Sequence, residues 1–80
     1  MYYISDRITI DPDICNGKPT IRNMRISVQT ILEFLNAGDS KATILEQYPI
    51  LEIEDIDACL KFAVQLMARN YTLMPLAKSA

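Results

Sequence analysis

Ser27 divides this chain into a part that resists helix and a part built for it. Upstream, Pro12, Gly17 and Pro19 punctuate a short segment. Each proline removes a backbone donor and holds φ near −65°, and glycine favours turns, so Ile8 to Ile26 reads as a small β element. Downstream, Val28, Ile31, Leu32 and Leu35 recur at helical spacing until Gly38, which stops the helix. Ser27 carries the hydroxyl that an N-cap requires. The chain is therefore expected to be mainly α with a small N-terminal β element.

Within that β element, Arg7-Ile8-Thr9-Ile10 alternates polar with apolar, as a half-buried strand should, and Asp11-Pro12 ends it. Asn16-Gly17 is the best tight-turn dipeptide in the chain. Two more extended pieces, Thr20-Ile21-Arg22 and Arg25-Ile26, flank Asn23-Met24, where asparagine tolerates positive φ. Two or three short strands are thus expected over residues 8–26. Beyond Gly38, Ser40 caps a second helix in which Ile44, Leu45 and Tyr48 face inward, and Pro49 ends it. A third and longest helix runs from about Ile53 to Arg69. Its inward stripe is read as Ile53, Ile56, Leu60, Ala63, Val64 and Met67. Glu54, Asp55 and Asp57 sit in its first turn, where the helix dipole favours acids. Short, short and long helices joined by tight connectors predict a three-helix helix-turn-helix domain. The chain reads as a single domain over 1–80, with a β-hairpin region (8–26), the helical module (27–70) and a C-terminal tail (71–80).

A domain of 80 residues buries only ~60% of the surface its unfolded chain exposes, so a second chain is expected to complete the core. No apolar run approaches the ~20 residues needed to cross a bilayer. "MYYISDRITI" carries an acid and a base too early for a secretory leader, which predicts a cytoplasmic protein. There is no histidine, and Cys15 and Cys59 are far apart, so neither a zinc site nor a His-based triad is expected. Two reduced thiols, with Cys59 half-buried on a helix, are the simpler reading. Gly17-Lys18-Pro19-Thr20 lacks the earlier glycine and the Lys-Ser/Thr pair of a phosphate-binding loop. Asp11 and Asp13 would suit a hard cation, but no further ligands stand at recognisable spacing, which favours an Asx-type turn. No enzyme and no cofactor are expected.

The formal charge is −2, yet the charge is unevenly spread. Lys18, Arg22 and Arg25 sum to +3 between Asn16 and Thr30, whereas Lys41 against Glu46, Glu52, Glu54, Asp55 and Asp57 leaves −4. Cations on a turn can hold phosphates or enter a groove. The trio Lys18, Arg22 and Arg25 is accordingly the candidate DNA-binding surface. The alternatives are a solvated face, or arginines that pair with the acidic patch of a neighbouring chain. The third helix is a poor groove reader, because its acidic first turn would face phosphates. Tyr2, Tyr3 and Ile4 have little local partner surface and form the candidate dimer or partner contact, the alternative being packing on the chain's own three-helix core. The tail "ARNYTLMPLAKSA" is apolar enough to order on a partner, the alternative being simple fraying or packing back on the helices.

The ordered motifs I-T-I-D-P, N-G-K-P-T-I-R-N-M-R-I-S-V, L-E-Q-Y-P and E-D-I-D-A-C-L resemble the family numbered 433 among the domains of unknown function. The resemblance spans Ile8 to about Ala63. It implies a winged-helix or homeodomain-like module, some members being VapB-type antitoxins encoded beside a PIN-type ribonuclease toxin. By that likeness the chain is expected to be a dimeric DNA-binding antitoxin, with operator DNA and a PIN-type toxin as partners. A protein-interaction adaptor without a nucleic-acid role is the alternative. Three departures from the family pattern stand out: Asn23-Met24 before Arg25 replaces the G-T of G-T-R, Ser27 replaces proline, and Glu52 replaces a threonine N-cap.

Overall fold

A computed structural model describes residues 1–69. Three helices pack beneath a three-stranded antiparallel sheet of order β1-β2-β3. The strands are β1 (Tyr2–Tyr3), β2 (Ile8–Ile10) and β3 (Thr20–Ile21). β1 pairs with β2 through Tyr2 opposite Ile10, and β2 with β3 through Ile8 opposite Ile21. The expected third extended piece at Arg25-Ile26 shrinks to a single bridge between Thr20 and Ser27. Its place as third strand is taken by β1, which folds back on β2 through a turn closed by Ile4 N donating to Ile8 O at 2.9 Å.

The connections follow their residues. Asp11 Oδ1 accepts from Asp13 N at 2.9 Å, an Asx turn after β2. Asn16 and Gly17 take φ of 56° and 78° in the tight turn over Cys15–Gly17, and glycine meets that left-handed geometry without steric cost. After β3, Arg22 and Asn23 both enter the left-handed region, at φ 45° and 58°. The buried Thr9 hydroxyl holds this turn, accepting from Asn23 N at 2.7 Å and lying 3.1 Å from Thr20 Oγ1.

The helices are α1 (Val28–Asn36), α2 (Lys41–Gln47) and α3 (Ile53–Met67). Ser27 Oγ accepts from Thr30 N and Ser40 Oγ from Thr43 N, both at 3.1 Å. Glu52 is the N-cap residue of α3, and Asp55 reaches back from inside the helix, its Oδ2 accepting from Glu52 N at 2.8 Å. That bond keeps the helix start at Ile53 although threonine is absent.

The core comprises Ile8, Ile21, Val28, Ile31, Ile44, Leu51, Ile56 and Cys59, with Leu32, Leu35, Leu45, Tyr48 and Phe62 packed against it. This corrects the expected stripe of α3. Ile56 and Cys59 point inward, whereas Ile53, Leu60, Val64 and Met67 are exposed. Cys59 is fully buried where a half-buried position was expected. Ile56 is buried as expected and Ala63 half-buried, but the other four residues of the expected stripe lie on a neighbouring flank, because packing against the sheet and α1 turned the Ile56–Cys59 side inward. Among the described residues no helix is long and apolar enough to cross a membrane.

Candidate functional site

The strand pairing that aligns Ile8 with Ile21 also brings Arg7 and Arg22 side by side, with Arg22 N donating to Arg7 O at 2.9 Å. Two guanidinium groups so close need a shared anion. Asp55 supplies it from the first turn of α3, with no exposed side-chain surface. Arg22 Nε donates to Asp55 Oδ1 at 3.0 Å and Nη2 to Oδ2 at 2.8 Å, a bidentate pair, while Arg7 Nη1 donates to Oδ1 at 2.9 Å. Arg7 Nη1 also reaches Glu52 Oε1 at 2.7 Å, and Arg22 Nη2 reaches Ile50 O at 3.2 Å.

Burial acts to raise the Asp55 pKa, but hydrogen bonds from Arg22, the Glu52 amide and Arg7 outweigh it and hold the carboxyl below its ordinary value. Both arginines are pushed up in turn, Arg7 mainly by its bonds to Glu52 and Asp55, Arg22 mainly by its bond to Asp55. The cluster ties the β element to α3 and is ionised throughout the physiological range.

Of the three cations singled out from the sequence, Arg22 is thus committed to a carboxylate of its own chain. The separation of positive and negative segments along the sequence is partly closed in space. Lys18 and Arg25 remain exposed, and among the described residues neither joins a salt bridge. Lys18 Nζ reaches only Gln29 Oε1, at 3.4 Å, which places it beside the first turn of α1, and Arg25 precedes the Ser27 cap by two residues. Two free cations therefore flank one helix start. The acidic opening of α3 is also quieter than its sequence implies. Asp55 and Glu52 are held by arginines, and Asp57 Oδ1 lies 2.7 Å from Lys41 Nζ.

Among the described residues, two groups of apolar side chains face solvent together. Tyr2, Tyr3 and Ile4 are 72%, 59% and 44% exposed along β1 and the turn after it. The second is the outer flank of α3. Between the β1–β2 turn and α3 lies a cleft lined by Asp6, Arg7, Glu54, Lys61 and Phe62. Ser5 also lines it, and among the described residues no hydrogen bond joins that hydroxyl to a base. Burial, with the Asp55 charge behind it, pushes the Cys59 thiol up to about 12, so that sulfur stays protonated. No group of three or more Cys, Asp or Glu among the described residues could hold a metal ion.

Sequence reasoning placed Arg22 on the outer surface and read Asp55 as a dipole partner only; the ion pair joining them was missed. The one available signal was Arg7, a cation alternating with Ile8 and Ile10 on a strand whose end needed a counter-charge. The tail at 71–80 lies outside the described residues.

Comparison with known proteins places these observations. The family model of proteins of unknown function, DUF433, matches residues 8–63. A crystal structure of a DUF433 member protein from Anabaena variabilis is similar, with a TM-score of 0.72 and 34% sequence identity over 76% of this chain. The match spans 60% of that protein. No curated protein matches.

Proposed function

This chain belongs to the DUF433 family, and from that premise we propose that it is a non-catalytic, cytoplasmic antitoxin that works as a pair of chains on operator DNA and restrains a PIN-type ribonuclease toxin. The observation that carries the DNA half is the placement of Lys18 and Arg25. Both are exposed, neither pairs with a carboxylate among the described residues, and both flank the start of α1, where backbone N–H groups also favour phosphate. Arg22 is left out of the contact surface, because drawing it to a phosphate would strand the buried Asp55.

The toxin half rests on Tyr2, Tyr3 and Ile4. β1 is an edge strand whose outer side is unpaired among the described residues, with its side chains in water. Such an edge accepts an added strand from a partner. An adaptor without DNA is the second reading, favoured by the extent of exposed apolar surface.

An electrophoretic shift with DNA from upstream of the gene tests the proposal, repeated over a salt series. Two cations per chain and two chains give four phosphate contacts, hence a slope of log affinity against log salt near −4. Replacing Lys18 and Arg25 with alanine abolishes the shift while the fold persists. No shift at low salt from a folded protein leaves the adaptor reading. Co-purification with the product of the adjacent gene tests the toxin half, and substituting Tyr2 and Tyr3 with serine should release that product.

A further inference from the structure

We infer that the outer flank of α3, carrying Ile53, Leu60, Val64 and Met67, is where a second copy of this chain docks, with the two helices antiparallel across a two-fold axis. The inference deepens the proposal above, which needs two chains, but its test involves no DNA.

The four side chains are 39%, 37%, 67% and 73% exposed. Their spacing of seven, four and three residues repeats the seam of a coiled coil, and they cover about 21 Å of helix. Together they leave on the order of 400 Å² of apolar surface in water, the size of the largest patch on a typical monomer. Doubled, and with flanking side chains added, this reaches about 1,000 Å², the lower limit for a specific association. A micromolar dimer is the scale to expect.

Charge selects the occupant and its direction. Beside the seam stand Glu54, Asp57 and Lys61, with Lys41 bonded to Asp57, so the rim is electrically neutral. A nucleic acid would gain nothing from this face, while a copy of the same face meets no net repulsion. Asp57 borders the seam between Ile53 and Leu60. A parallel pair would set the two Asp57 carboxylates against each other. An antiparallel pair centred on Leu60 packs Leu60 against its own counterpart and Ile53 against the second copy's Met67, and separates the two carboxylates by about 9 Å along the axis. Such an isologous contact closes after two copies, so no open filament results. β1 is the weaker candidate for self-association, having only two residues in its ladder.

Sedimentation equilibrium from 1 to 200 µM, on the full chain without DNA, tests this at ~10⁻⁶ M affinities. The expected result is a reversible dimer that Val64→Glu weakens about 100-fold while circular dichroism and melting stay unchanged. A Leu60→Cys, Val64→Cys double variant should cross-link as a dimer on oxidation. A chain monomeric across the whole range overturns the inference. So does a dimer that Val64→Glu leaves intact, or one lost only on replacing Tyr2 and Tyr3 with serine. An intact dimer that fails to shift DNA rejects the operator reading alone.

Discussion

Replacing Asp55 with alanine is the most searching test of how this fold is held. The carboxylate, with no exposed side-chain surface, accepts four hydrogen bonds: two from Arg22, one from Arg7 and one from the Glu52 amide. Its removal leaves Arg22 without an anion, Arg7 with Glu52 alone, and an orphaned N–H at the start of α3. Removing one partner of a buried ion pair costs ~3–5 kcal/mol. The arginines keep 30% and 35% of their side-chain surface in water, so they can rehydrate, and the lower end applies: about 3 kcal/mol. For a domain of this size that lowers Tm by roughly 12–24 °C, a large share of a total stability of ~4–12 kcal/mol. Urea unfolding of D55A, R22A and D55A/R22A measures it. The double variant should lose less than the two single variants together by at least ~1 kcal/mol, because each partner is harmful mainly when left alone. A cost for D55A below about 1 kcal/mol, or strict additivity, would refute the argument.

The same cluster sets a response to acid. Folding lowers the Asp55 pKa below its ordinary 3.8, so the native state binds that proton less readily than the unfolded chain. The contribution is complete above that ordinary value and is lost as pH falls through the lower native value; denaturant titrations from pH 6 to pH 2 should show a steeper decline for the wild type than for D55A. Ser27→Ala removes the α1 cap and should cost about 1 kcal/mol in urea unfolding. Asn23→Gly should stabilise by ~0.5–1 kcal/mol, since Asn23 holds φ 58° and its buried Oδ1 has no partner; a loss of stability would mean that the side chain is bonded. A thiol reagent should label Cys15 in the native protein and Cys59 only on unfolding; two equally fast reactions would contradict the burial of α3.

Much of the backbone was legible because its causes are local. Ser27, Ser40, Gly38 and Pro49 set the helix ends within a turn of themselves, and Asp11-Pro12 and Asn16-Gly17 shaped the loops through their own dihedral preferences. The free cations of the candidate surface, Lys18 and Arg25, were also visible, along with the apolar Tyr2, Tyr3 and Ile4. Other features required the assembled fold. Arg22 and Asp55 are 33 residues apart and Arg7 and Asp55 are 48, so only strand pairing and the docking of α3 could make them neighbours. The same docking decided which flank of α3 is buried. Helical periodicity gives a hydrophobic direction around the axis to within a neighbouring stripe, and where apolar residues occupy two stripes the choice belongs to the surfaces that pack against them.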